Sequence, residues 1–261
     1  MPLDEYRKKR DFTKSPEPKG DQAKTQKTRA AKPLFFCVQK HLATQLHYDF
    51  RLEFNGVLLS WAVPKGPSLD PSVKRLAMHV EDHPFEYGTF EGVIPSGYGA
   101  GIVMLWDRGT WTPSVPDVDA ALAKGDLKFT LDGYKLKGSW VLVRTHGYGG
   151  SRGGEGKSWL LIKHRDEWAS GDLDITTFAP LSVKSNEDFH EILAHDNPAT
   201  WQTNRPATGT ANAMLREVIE KAAALKHERD APARGAAGNK PRTTRSGRAP
   251  SKPASRGSRR R

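Results

Sequence analysis

Two histidines, an aspartate and an arginine stand close together near residue 50: His41, then His47-Tyr48-Asp49-Phe50-Arg51-Leu52-Glu53-Phe54. Successive side chains of a β-strand point to opposite faces, so this stretch puts His47, Asp49, Arg51 and Glu53 on one side and Tyr48, Phe50, Leu52 and Phe54 on the other. One face is a core; the other is a row of charged and metal-ligating groups. Two neutral imidazoles and a carboxylate suit a divalent transition metal such as manganese or zinc. Arg51 adds an anionic substrate, because its planar fork matches phosphate or carboxylate with paired hydrogen bonds.

Histidines on strands more often pack than ligate, and a site requires a second element beside this one. Arg75-Leu76-Ala77-Met78-His79-Val80-Glu81-Asp82-His83 supplies it. Read as one strand ended by Pro84, it aligns Arg75, His79, Glu81 and His83 on a face opposite Leu76, Met78 and Val80. Where two such strands adjoin, at a barrel rim or groove, they gather imidazoles, acids and arginines in one place. Lys65 sits between them in the proline-rich loop 64–71, as a possible phosphate contact, although an ordinary exposed lysine is the simpler account.

The elements that must hold these residues are short runs rich in Val, Leu, Phe and Trp, beginning at Pro33. Asn55-Gly56 joins Phe50–Phe54 to Val57–Val63 as a type I′ hairpin. Asp107-Arg108-Gly109 and Asp132-Gly133 are expected to be further turns. Many closely spaced strands without a βαβ repeat predict a mainly β, antiparallel sandwich or small barrel. Helices are expected at the periphery: 117–124 closed by Gly125, 189–194 entered through a capping-box-like Ser185 and Asp188, and 211–229 on an apolar stripe. Gly97-Tyr98-Gly99-Ala100-Gly101 is followed by a strand-like run and is not a dinucleotide fingerprint. Ser151 stands where the first glycine of a phosphate-cradling loop ending in Gly156-Lys157-Ser158 would have to be.

The chain has 261 residues and a formal charge of +11, but the basicity belongs to its ends. Residues 1–32 carry +5 and residues 230–261 carry +9, leaving −3 between them. The C-terminal segment, rich in Ala, Gly, Pro, Ser and Arg, cannot bury enough apolar surface to offset its ordering entropy and is expected to be disordered. Such a tail suits electrostatic binding of a polyanion. Cys37 is the single cysteine, so there is no disulfide framework. With no signal-peptide core and no run of membrane-spanning length, a soluble protein of the cytoplasm, associated with the nucleoid and not with a membrane, is expected.

These stretches, with Gln39-Lys40-His41, Ser60-Trp61-Ala62-Val63-Pro64-Lys65-Gly66-Pro67, Glu91-Gly92-Val93-Ile94-Pro95, Trp106-Asp107-Arg108-Gly109 and Lys157–Lys163, resemble the 3′-phosphoesterase domain of bacterial DNA ligase D over about residues 4–168. The resemblance implies a compact antiparallel β-barrel with peripheral helices and disordered basic tails. The domains would be a flexible basic arm at 1–32, the phosphoesterase barrel at 33–182, peripheral helices at 183–229 and the basic tail at 230–261. It further implies a manganese-dependent enzyme that removes 3′-terminal ribonucleotides and 3′-phosphates from primer-template or RNA-tipped DNA ends, leaving a ligatable 3′-hydroxyl. Carried over residue by residue, His41, His47 and Asp49 would hold the metal. Arg51, His83 and Tyr87 would contact the phosphate, and Arg10, Asp11 and Glu17 in the arm would assist. Lys65, Arg75 and Glu81 would be supporting polar groups. With no adenylation motif in the chain, a stand-alone enzyme working beside a separate DNA ligase and end-binding repair proteins is expected. Rival readings are a non-catalytic nucleic-acid-binding barrel, which has no use for the His/His/Asp row, and a phosphoesterase of small molecules, which has no use for the basic tail.

Overall fold

The computed structural model describes residues 3–9, 12, 18, 20, 33–94, 100–145, 156–195, 198 and 213–230. Its strands are β1 (Leu34–Leu42), β2 (Leu46–Phe54), β3 (Val57–Val63), β4 (Arg75–His79), β5 (His83–Pro84), β6 (Gly92–Ile94), β7 (Gly101–Pro113), β8 (Asp126–Gly133), β9 (Lys137–Arg144) and β10 (Ser158–Lys163). The helices are α1 (Asp4–Lys8), α2 (Val118–Lys124), α3 (Ile175–Phe178), α4 (Phe189–Ala194) and α5 (Ala213–Asp230), and a 3₁₀ turn covers Phe85–Thr89. Hydrogen bonding runs β1-β2-β3-β4-β10-β9-β8-β7 and returns to β1 through β7, so eight antiparallel strands close into a barrel. β5 attaches to β3, and β6 to β7, outside this ring.

Closure gives the sheet an inside and an outside, and directly opposed residues share a side. Phe36, Val38, Phe50, Leu52 and Trp61 fall on the inner side, with Trp111, Phe129 and Trp140, all buried. Each large apolar side chain so enclosed contributes about 1.5–3 kcal/mol relative to exposure. The opposite register carries Gln39, His41, Asp49, Arg51 and Ser60, so the polar row of β2 lies on the outer wall. That wall is covered in turn: Gln39, Arg51 and Ser60 are as buried as the core.

Asn55 and Gly56 both adopt positive φ, 50° and 80°, as a type I′ hairpin requires. Asp107-Arg108-Gly109 is not a turn, because β7 runs through it. The Asp107 carboxylate accepts the backbone N–H groups of Arg108, Lys135 and Leu136, so its turn chemistry serves the β8–β9 connection instead. Gly109 is opposite Gly133, where a Cβ would come within 2.1 Å of the Asp132 carbonyl oxygen. Close backbone approach is what this glycine provides. The turn expected at Asp132-Gly133 falls later: β8 runs through Gly133, the chain bends at Tyr134-Lys135, and β9 starts at Lys137 rather than Tyr134.

The strand expected over Arg75–His83 is two strands. β4 stops at His79, and the chain crosses before β5 pairs His83 with Leu58. Arg75, Ala77 and His79 therefore share the inner side with Trp61, while His83 shares the outer side with Ser60. His79, half-buried, packs against Trp61 and Trp159 with ring centroids at 5.1 and 6.3 Å. Burial pulls its pKa down.

Residues 3–9, expected within a flexible arm, instead hold α1 against β5, with Leu3 and Tyr6 buried. α2 forms as expected, with Asp117 accepting from the Ala120 N–H and Gly125 closing it. The capping box of α4 is Asp188 with Glu191, one turn later than Ser185 with Asp188. α5 buries Val218 and Ala222 and packs on α4. Residues 231–261, 95–99 and 146–155 lie outside the described residues.

Candidate metal and phosphoester site

β1 and β2 pair so that His41 faces His47 and Gln39 faces Asp49. This register, fixed by the apolar pairs Phe36–Leu52 and Val38–Phe50 on the other side, brings the two imidazoles to a centroid distance of 4.7 Å. His41 Nδ1 is 3.6 Å from Asp49 Oδ2, and His47 Nε2 is 3.8 Å from Asp49 Oδ1. One ligand atom from each residue lies within 4.8 Å of the others. Such separations leave room for one ion among two nitrogens and an oxygen.

The surroundings prepare these atoms. His47 Nδ1 is 3.0 Å from the Gln45 carbonyl oxygen, which can only accept, so Nδ1 carries the proton and Nε2 keeps its lone pair toward Asp49. Burial alone would raise the Asp49 carboxyl, but Arg51, His47 and His41 beside it hold it well below the usual carboxylate range. Asp49 is therefore an anion ready to ligate. The donor set fits a divalent cation.

Arg51 is buried at the centre of a network. Its Nε donates to Gln39 Oε1 at 2.8 Å, Nη1 to Ser60 Oγ at 2.7 Å and Nη2 to Asp49 Oδ2 at 3.2 Å. Nη1 also lies 3.0 Å from His83 Nδ1, and the guanidinium sits 5.0 Å over the Tyr87 ring. Of five N–H groups, one on Nη2 has no partner among the described residues. The orientation is fixed, and a donor remains for an anion.

His83 Nδ1 lies 2.8 Å from the Glu81 carbonyl oxygen and 3.0 Å from Arg51 Nη1, so an acceptor and a donor hold this edge of the ring in place. The Tyr87 ring stands 4.7 Å from the His83 ring, and the Tyr6 ring packs at 5.4 Å from it. The structure thus brings His41, His47, Asp49, Arg51, His83 and Tyr87 together. Glu81 stands behind His83 and pairs with Lys9 of α1 at 2.8 Å. Lys65 is exposed in the β3–β4 loop, two residues beyond the Val63–Tyr48 pair. Arg75 lies on the inner side, apart from the cluster. Arg10, Asp11 and Glu17 lie outside the described residues.

Sequence reasoning missed Gln39, Ser60 and Tyr6. Gln39 shares the strand face of His41, a signal that alternation carried; Ser60 and Tyr6 become visible only through pairing and packing. Asp82 was also passed over. Its Oδ1 is buried without a hydrogen-bond partner among the described residues, and burial together with Glu81 pushes its pKa up from 3.8 to about 6. The native state then binds the proton more tightly than the unfolded chain, so stability present below pH 3.8 is lost as pH rises through about 6. Asp82→Asn should raise the melting temperature at pH 8, by the equivalent of ~1–2 kcal/mol after allowing for partial solvent screening, and should give no gain at pH 4. Equal gains at both pH values would contradict this assignment.

A metal-ligand cluster beside a buried arginine with a spare donor, on the outer wall of a closed barrel, defines a β-barrel protein with a candidate metal centre built for an anionic ligand. Residues 39–144 match the family described as the DNA ligase D 3′-phosphoesterase domain. The multifunctional non-homologous end joining protein LigD of Pseudomonas aeruginosa is 50% identical over 209 residues, covering 79% of this chain and 24% of that protein. The corresponding DNA repair protein of Mycobacterium tuberculosis is 47% identical over 146 residues, covering 56% of this chain and 18% of its own length. The LigD protein of Mycolicibacterium smegmatis is 37% identical over 185 residues, covering 69% and 22%. The chain therefore carries a domain of the DNA ligase D 3′-phosphoesterase family, and it spans about a quarter or less of the length of these relatives. Among the described residues, no helix is long and apolar enough to cross a membrane.

Proposed function

We propose that this chain heals DNA 3′ ends, cleaving the P–O5′ bond of a 3′-terminal ribonucleotide with water so that its nucleoside departs and its phosphate stays on the strand as a 3′-phosphate, and then hydrolysing that phosphate to a 3′-hydroxyl and orthophosphate. The observation that carries the reading is the buried Arg51 fork, held beside the His41/His47/Asp49 cluster with one N–H to spare. Manganese is the assigned cation, and once bound it supplies Lewis acidity toward a phosphoryl oxygen. Arg51 grips a non-bridging oxygen and stabilises the negative charge that gathers there. Tyr87, its ring under the Arg51 guanidinium and edge-on to His83, is the second donor to the phosphate. His83 is assigned as the proton donor to the leaving oxygen.

Lys65 is assigned to the DNA backbone and Glu81 to holding His83 and Lys9 in place. Arg75 is left as a supporting polar group, and Arg10, Asp11 and Glu17 are assigned on sequence resemblance alone. The physiological setting is assigned as non-homologous end joining, which the names of the relatives support, and by extension the cytoplasm at the nucleoid, beside a DNA ligase and end-binding repair proteins. Duplexes labelled at the 5′ end and terminating in a 3′-ribonucleotide or a 3′-phosphate, incubated with manganese, provide the test. The expected products are a shortened strand bearing 3′-phosphate and then the 3′-hydroxyl strand. Binding without turnover would favour the non-catalytic barrel, and release from small phosphomonoesters alone would favour the small-molecule enzyme.

A further inference from the structure

Three of the four exposed aromatic side chains among the described residues, Phe178 at 71%, Tyr134 at 69% and Trp168 at 47%, stand at one end of the barrel. At this end β1 turns into β2, β3 into β4 and β8 into β9, so it also carries the rim of the His41/His47/Asp49 cluster and Lys65. The chain leaving β10 crosses this mouth. The Ser170 N–H donates to the Leu69 carbonyl oxygen of the β3–β4 loop, Ile175 of α3 is buried, and the Ala179 carbonyl oxygen accepts from Trp106 Nε1 at 2.8 Å and Lys135 Nζ at 2.9 Å. Phe178 therefore sits on a strap that runs from the β3–β4 loop to the β8–β9 turn bearing Tyr134.

Trp168 is anchored although its ring is open to solvent. Its backbone N–H donates to Asp166 Oδ1 at 2.9 Å, and that carboxylate is itself fixed by the buried Lys163 ammonium and the Ser139 N–H. Cations accompany the rings: Lys137 Nζ lies 5.5 Å from the Trp168 centroid, and the Arg108 guanidinium 5.8 Å from that of Tyr134. Beside Trp168, a groove of about 400 Å³ offers the polar groups of Thr130, Ser139 and Glu167 to a base edge. Of the acids here, Asp132 pairs with Lys137, Asp166 with Lys163, and Asp174 caps α3, while Glu167 and Asp172 stay exposed. Exposed rings interleaved with cations suit unpaired nucleotides, because every base has a face to stack and every phosphate a charge to meet. We propose that Phe178, Tyr134 and Trp168 form a stacking track for the unpaired strand of a DNA substrate whose paired 3′ end lies at the metal cluster. This rests on the reading of that cluster as a DNA 3′-end site. A blunt duplex gains nothing from the track, since its bases keep their faces to themselves.

Fluorescence anisotropy of the full chain with two labelled duplexes tests this. Both carry a 3′-hydroxyl primer; one template ends flush, and the other extends past the primer as an unpaired 5′ overhang. Trp168→Ala and Tyr134→Ala should each raise Kd for the overhang duplex about 10-fold, and Phe178→Ala should add to either. Trp168→Phe keeps a ring to stack on and should stay within about threefold of wild type. The blunt duplex should bind all variants within about twofold of wild type, and the salt dependence should keep its slope, because no phosphate contact is removed. The replaced side chains are exposed, so melting temperatures should not move, and kcat at saturating substrate should hold while KM rises with Kd. Trp168→Ala and Tyr134→Ala proteins that bind the overhang duplex as wild type does would overturn the track and leave these rings to a protein surface. Equal losses on both duplexes would overturn it too. A wild-type protein that prefers the overhang but releases no phosphate would instead remove the functional reading and leave the track standing, so the two failures are distinguishable.

Discussion

Asp49→Asn is expected to lower manganese-dependent phosphate release by about 10³-fold or more, equivalent to about 4 kcal/mol of transition-state stabilisation. The substitution is nearly isosteric, so the barrel wall keeps its shape. It removes the only carboxylate among the three candidate ligands and, among the described residues, the one anion in contact with Arg51. A divalent cation would then meet three neutral ligands beside a buried guanidinium charge, which repels it. Manganese affinity should fall with activity, and excess manganese should recover only part of the loss. The metal-free protein should also be less stable, by about 3 kcal/mol, because Arg51 is left buried without its counter-charge. Unchanged manganese affinity, measured by electron paramagnetic resonance, would contradict the ligand assignment.

Arg51→Lys is the second large effect, and its signature is different. A lysine ammonium keeps the charge but lacks the planar fork, so it cannot reach Gln39 Oε1, Ser60 Oγ and Asp49 Oδ2 together. A fall in kcat/KM of about 10²-fold to 10³-fold is expected, with manganese affinity within a few-fold of wild type. Inhibition by orthophosphate should weaken in parallel, since the same donor grips product and transition state. Loss of the buried network should cost about 2–4 kcal/mol of stability, so activity is to be compared well below the melting transition. An active Arg51→Lys protein with ordinary phosphate inhibition would show that Arg51 only supports the fold.

Local patterning made the heart of the site legible before any coordinates. Alternation in residues 47–54 separated a core face from a ligand face, and β2 keeps that separation. Asn55-Gly56 fixed the hairpin because both residues need positive φ. What stayed hidden depends on pairing between distant segments. Placement of the site on the outer wall follows from β1 meeting β7, a contact across more than 60 residues of chain. The crossing between His79 and His83 sends one histidine to the inner side and the other to the site, although continuous alternation would keep them together. Asp107-Arg108-Gly109 has turn residues inside a strand because a distant hairpin uses the carboxylate and a facing backbone needs the glycine. Gln39 and Ser60 escaped notice for a simpler reason: an amide and a hydroxyl signal nothing until their partners are known.

The most direct measurement is an anomalous difference map, at the manganese edge, of crystals soaked with manganese and orthophosphate. It should show one cation peak among His41, His47 Nε2 and the Asp49 carboxylate, with a phosphate against the free Nη2 edge of Arg51. A cation bound elsewhere, or a phosphate remote from Arg51 with this cluster empty, would contradict the assignment of a metal-assisted phosphoesterase centre.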